Sequence, residues 1–244
     1  MKLVVFDLDG TLTRTSRVDS ECYAQALHEV AGVREPRTDW STYQHATDTG
    51  IIAEIFLERF GRLPEEMETK NIRDRMLQLF AARYEADGSE FLEIRGAGSL
   101  VRRLLDQGIW GVALATGAWR CSAEFKIQHS GLPLGDLPSA YAEDGPSREG
   151  IVRAAIDRAQ RHYGQTRFGR VVSVGDGLWD LVTARNLALP FIGVAQDGAS
   201  SVLRENGASH VVGNYLDVER FLQLLDQARI PRTEASLREL RDAH

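Results

Sequence analysis

Acidic residues stand where short apolar runs stop. Leu3–Phe6 runs into Asp7-Leu8-Asp9-Gly10-Thr11, and Val171–Val174 runs into Gly175-Asp176-Gly177, with Asp180 four residues after Asp176. A further run, Gly111–Ala115, closes on Thr116-Gly117. Carboxylates gathered in one place repel one another unless a cation neutralises them, and an all-oxygen ligand set favours a hard ion such as Mg2+, which commonly also touches a substrate phosphate. A carboxylate can also attack phosphorus, dividing one difficult hydrolysis into two steps. A second acid nearby can protonate the leaving alkoxide and then activate water. Asp7 and Asp9 are two residues apart, so one backbone turn places both near the same phosphate.

This chemistry requires elements that bring the run ends together. The apolar runs Leu3–Phe6, Gly111–Ala115, Val171–Val174, Phe191–Val194 and His210–Val212 are rich in β-branched residues. Helical-looking stretches lie between them, at Gly98–Gln107, Arg148–His162, Leu178–Leu187 and Val218–Ala228. Continuous apolar strands alternating with helices predict an α/β, doubly wound, Rossmann-like parallel sheet covered on both faces, with a strand order near 3-2-1-4-5. Ligands of such sheets bind beyond the carboxyl ends of the strands, which is where the acidic residues stand.

One segment breaks the alternation. From about Arg14 to Phe91 no buried strand is evident, and Ser20–Val30, Ile51–Phe60 and Pro64–Tyr84 carry apolar residues at helical spacing. Breaks at Gly32–Pro36, Gly61–Pro64 and Asp87–Ser89 separate these stretches. The expected organisation is a core of residues 1–13 and 92–230, an inserted helical domain over 14–91, and a charged tail at 231–244.

A lone Asp at a strand end is usually a cap or turn former; it is the joint pattern that is specific. Asp7 to Thr11 reads D-x-D-G-T, Thr116 closes the next core strand, and Gly175 to Asp180 reads G-D-x-x-x-D. In this the sequence resembles the haloacid dehalogenase superfamily, in its group similar to phosphoglycolate phosphatase and β-phosphoglucomutase, whose α-helical cap is inserted just after the first motif. The resemblance implies that Asp7 is the nucleophile and a magnesium ligand. Asp9 would be the general acid/base, with its backbone carbonyl on the metal. Asp176 would complete the protein ligands, and Asp180 would support it or ligate through water. Thr116 and the N–H of Gly117 would hold phosphoryl oxygens. For the cation of the third motif, Lys126 stands too early in the chain; Arg148 is the better candidate and Arg153 the second. Dehalogenases of this fold lack the acid two residues after the nucleophile, so Asp9 favours phosphoryl transfer. The implied function is a Mg2+-dependent phosphatase acting on a small phosphorylated metabolite. A phosphomutase and a non-catalytic binding protein on the same scaffold are the alternatives.

In the insertion, Thr47-Asp48-Thr49-Gly50 precedes an apolar helix and reads as an N-cap, with selection of substrate as its functional alternative. Arg14 could meet an anionic substrate, and Trp40, Tyr43 and His45 are either cap contacts or a packed aromatic cluster. Trp119 and Trp179 follow the motif loops and are expected to buttress them.

Composition narrows the partners. The 244 residues are 43% hydrophobic and 26% charged, with a net charge of −6 and no long basic run, which disfavours nucleic acid. Cys22 and Cys121 have no metal-ligand spacing. The longest nearly apolar stretch, Ile109 to Trp119, is too short to span a bilayer. A cytoplasmic protein, monomeric or a small homo-oligomer, is the expectation.

Overall fold

The structure is a computed structural model and describes residues 1–195 and 199–232. Strand β1 (Lys2–Phe6) lies at the centre of a parallel sheet, between β2 (Trp110–Ala115) and β4 (Val171–Gly175). The short edge strand β3 (Ser139–Ala140) pairs with β2, while β5 (Phe191–Val194) and β6 (His210–Val212) extend the other side. The order is β3-β2-β1-β4-β5-β6. The doubly wound parallel sheet is thus present. The sequence reading had no β3, because two residues carry no periodicity to read.

The apolar runs are continuous because the sheet is buried on both faces. In β1, Val4 and Phe6 pack on one face with Leu100 and Leu104 of helix α4 (Ala97–Gln107) and with Phe221 of α9 (Val218–Gln227). Leu3 and Val5 point the other way, to Ile151 and Ala155 of α6 (Arg148–His162). Helix α5 (Arg120–Ser130) follows β2, α7 (Leu178–Asn186) follows β4 and α8 (Ala199–Glu205) follows β5.

Between β1 and α4 the chain is helical: α1 (Ser16–Ala31), α2 (Asp48–Phe60) and α3 (Glu66–Ala86). Their inner faces form a separate apolar cluster in which Val18, Tyr23, Ile52, Phe56, Ile72, Met76 and Phe80 are buried. Met67, in the first turn of α3, is exposed instead. Trp119, from the loop after β2, inserts into this cluster, so helices and sheet share a core residue. The chain enters and leaves the helical segment at one place, where Thr13 bridges Glu93 and the N–H of Arg14 donates to the carbonyl of Leu92. No described helix is long and apolar enough to cross a membrane. Of the charged tail, Arg232 is described, whereas Glu234, Arg238, Glu239, Arg241 and Asp242 lie outside the described residues.

Candidate active site

The register that aligns Phe6 with both Leu114 and Val174 carries Asp7, Thr116 and Asp176 to the same sheet edge. The N–H of Asp7 still donates to Val174 O, and that of Thr116 to Ala140 O, so each side chain is set by the last rung of a strand ladder. The chain then turns sharply. The carbonyl of Leu8 accepts from the N–H groups of Thr11, Leu12 and Thr13, and Gly10 adopts φ +73°. A Cβ on Gly10 would lie 1.9 Å from Asp176 Oδ2, so glycine serves both the left-handed conformation and the close approach.

Asp7, Asp176 and Asp180 each present a carboxylate oxygen within 4.8 Å of the others. Burial, then the charge of Asp180, pushes the Asp7 carboxyl up to about 8, against the pull of Arg148. Burial, together with Asp7 and Asp180, drives Asp176 well above the ordinary carboxylate range, and burial also raises Asp180. Asp176 Oδ1 is buried and takes no hydrogen bond. An orphaned acceptor among three crowded acids fits a hard cation: the donors are all oxygen, and a divalent charge would relieve the repulsion.

Arg148 is the counter-charge. Ser147 caps α6 through its side chain, which accepts from Gly150 N–H and leaves Arg148 as the first helical residue, aimed across the strand ends. Its Nη1 donates to Asp7 Oδ1 at 2.9 Å and to Asp180 Oδ1 at 3.0 Å. Its Nε donates to Ala46 O at 2.8 Å, and the guanidinium lies 5.8 Å from the Trp179 ring centroid. Arg153 is exposed further along α6 and reaches none of these groups. Asp180 Oδ2 accepts from Gly177 N–H, which ties Asp180 into the loop after β4. Thr116 Oγ1 is buried and accepts from Ala118 N–H, which leaves its own proton to donate.

Lys126, set aside as too early in the sequence, has a different part. Its side chain is 0% exposed, and its Nζ donates to Asp9 Oδ1 and Oδ2 at 2.8 and 2.7 Å and to Asp19 Oδ1 at 2.5 Å. Thr15 Oγ1 donates to Asp9 Oδ1 as well. The two carboxylates hold Lys126 charged despite burial, which by itself would lower its pKa. Burial, countered by Lys126, places Asp19 at about 6. The sequence carried a faint signal: Ser122, Ala123, Lys126 and Ser130 fall on one face of α5, and all are buried. A lysine on such a face requires an acidic partner. Asp19, on α1, was not singled out in the sequence at all.

The helical segment closes over these groups. Thr47 caps α2, its Oγ1 accepting from Gly50 N–H. Asp48 also faces the site: its N–H donates to Gly117 O, and its Oδ2 accepts from Trp119 N–H at 2.8 Å. The indole of Trp119 donates to Thr49 Oγ1. Thr47 thus caps α2, and both Thr47 and Asp48 line the space between helices and sheet. A Cβ on Gly117 would lie 2.7 Å from Ala46 O and 2.8 Å from Arg148 Nη2, so this position too is closed to larger residues. Trp40 packs edge-on to Tyr23 and tilted against Tyr43, while Trp119 packs against Tyr23, which makes the aromatic residues a packed cluster. Between segment and sheet lies a cavity of about 110 Å3 whose lining includes Asp7, Asp9, Thr116, Arg148 and Asp176 from the sheet side and Asp19, Trp40, Thr47 and Asp48 from the helices. Arg14 is exposed and does not line it; with Arg95 it borders an open depression beyond Gly10.

The model of haloacid dehalogenase-like hydrolases matches residues 1–187. The chain belongs to this family. No curated protein matches its sequence significantly. Solved structures share the hydrolase fold over nearly the whole chain. A hydrolase from Pseudomonas syringae is 18% identical, with a TM-score of 0.68 over 91% of this chain and 98% of the other. CbbY from Rhodobacter sphaeroides, determined in complex with xylulose-(1,5)-bisphosphate, is 18% identical, with a TM-score of 0.66 over 89% and 96%. A predicted phosphoglycolate phosphatase from Haemophilus somnus is 15% identical, with a TM-score of 0.60 over 91% and 98%. Within this hydrolase family, the D-x-D-G-T and G-D-x-x-x-D segments of the chain are the ones that form the acidic strand edge.

Proposed function

We propose that this hydrolase is a Mg2+-dependent phosphatase that cleaves a compact phosphomonoester through an aspartyl-phosphate on Asp7. The observation that carries the reading is the trio of Asp7, Asp176 and Asp180, crowded within 4.8 Å, with the buried Asp176 Oδ1 unpaired and a guanidinium against Asp7. Relatives named for acting on, or binding, phosphorylated compounds support it.

Asp7 and Asp176 would hold the cation, with Asp180 behind them; when bound, Mg2+ supplies charge neutralisation for the acids and for the phosphoryl oxygens. Asp7 attacks phosphorus, the bond to the leaving oxygen breaks, and Asp9 gives that oxygen a proton. Asp9 then takes a proton from water as it attacks the phosphorus of the aspartyl-phosphate, and the bond to Asp7 breaks. Thr116 O–H, Gly117 N–H and Arg148 stabilise the equatorial oxygens, which is most of what a protein contributes to phosphoryl transfer. The helical segment, acting as a cap, excludes bulk water and macromolecules.

The test is phosphate release from a panel of small esters with Mg2+ or with chelator, for the natural protein and for Asp7→Asn. Release that requires Mg2+ and is abolished in a folded Asp7→Asn variant is expected. Near-normal release from that variant would remove the nucleophile assignment, and isomerisation without release would indicate a mutase.

A further inference from the structure

The cavity has one positive side chain to offer, and the phosphoryl group takes it. Among the described residues lining it are the carboxylates of Asp7, Asp9, Asp19, Asp48 and Asp176, against Arg148 as the single cation. Arg148 is already engaged by Asp7, Asp180 and Ala46 O, with its remaining Nη2 beside Gly117, where phosphoryl oxygens would sit. Lys126 is fully buried behind Asp9 and Asp19 and does not line the space, and Arg14 and Arg95 border a different depression.

One wall of the cavity is built from α1 and its neighbours, with Asp19 joined to Asp9 through Lys126. Ser16, Asp19 and Tyr23, spaced three and four apart, share one face of α1, and Trp40 and Ile51 complete the wall. The polar atoms of the two rings are spent within the protein, Tyr23 O–H on Asp48 O and Trp40 Nε1 on Ser20 Oγ. The rings therefore offer the cavity apolar surface. Asp19 Oδ2 takes no hydrogen bond from any described residue. Aromatic surface beside a carboxylate suits a cation or a hydroxyl, whereas a second anion would meet like charge.

We infer that the substrate's alcohol carries no second negative charge, and that a small amino alcohol or polyol phosphate, the ammonium form best of all, is the class this cavity takes. The inference rests on the phosphatase reading above and narrows its substrate. It excludes ester classes with a carboxylate or a second phosphate on the leaving group.

Three esters of nearly equal size test it with Mg2+ present: 2-aminoethyl phosphate, 2-hydroxyethyl phosphate and carboxymethyl phosphate. The expected order of kcat/KM is amino, then hydroxy, with the carboxylate at least about 10-fold below the hydroxy ester, the scale of one like-charge contact at partial screening. A smaller difference, or a reversed order, overturns the inference. No phosphate release from any ester of a wide panel would instead defeat the phosphatase reading itself. In Asp19→Asn, folded by circular dichroism, the penalty on the carboxylate ester should shrink several-fold while the amino ester loses its advantage; unchanged ratios would show that Asp19 is not the group that discriminates.

Discussion

Lys126 ties the first-strand loop to α1 from inside the protein, with Asp9 and Asp19 both accepting from its ammonium. Its two carboxylate partners come from the first-strand loop and from α1, more than a hundred positions away in the chain, and no local pattern announces such a triplet. Asp7, Asp9, Asp176 and Asp180 were legible for the opposite reason: their spacing is contiguous, and strand ends in a parallel sheet converge. Arg148 was legible as the first residue of a helix after a loop, and it reaches Asp7 and Asp180. Replacing Lys126 by Met leaves Asp9 and Asp19 adjacent and uncompensated. The expected cost is about 3–5 kcal/mol of stability, the usual result of removing one member of a buried pair. Thermal or denaturant unfolding measures it, and Asp19→Asn added to Lys126→Met should restore part of the loss. A loss below about 1 kcal/mol would show the triplet to be solvated. Gly10→Ala addresses the neighbouring contact: with a Cβ aimed at Asp176 Oδ2, Mg2+ affinity should fall at least about 10-fold in a calorimetric titration.

Helix lengths were read within a few residues, since α2, α3, α4, α6 and α9 each carry an apolar stripe and flanking breaks. β3 and α8 escaped, being too short to show a period. What the sequence did not disclose is how closely the helical segment meets the strand loops. Part of that contact is backbone, Asp48 N–H donating to Gly117 O and Ala46 O accepting from Arg148, and backbone atoms leave no residue-type signature. Gly117→Ala should therefore act on closure rather than on folding. We expect kcat/KM to drop at least about 10-fold, as for a misplacement near 1 Å, with the unfolding midpoint little changed. A large loss of stability with unaltered kcat/KM would contradict this role.

At the scale of the whole molecule, the protein concentrates buried acid where sheet and helices meet. Asp7 at about 8, with Asp176 and Asp180 also raised, means that these acids bind protons more tightly folded than unfolded. Without metal, the unfolded chain ionises first, at about pH 4, so stability declines as pH rises from there toward 8. A divalent ion reverses the penalty by replacing protons. Melting temperatures in chelator should fall between pH 5 and pH 8, and added Mg2+ should raise them more at pH 8 than at pH 5; an equal rise at both would show that the trio is not the site.

On the proposed function, Asp7 becomes covalently phosphorylated during turnover. Acid quenching during turnover of an accepted ester, followed by peptide mass spectrometry, reads this directly. A phosphoryl group on Asp7 is predicted, absent from unreacted protein and from Asp7→Asn. Phosphoryl label on any other residue, or turnover by Asp7→Asn at the natural rate, would rule out Asp7 as the nucleophile.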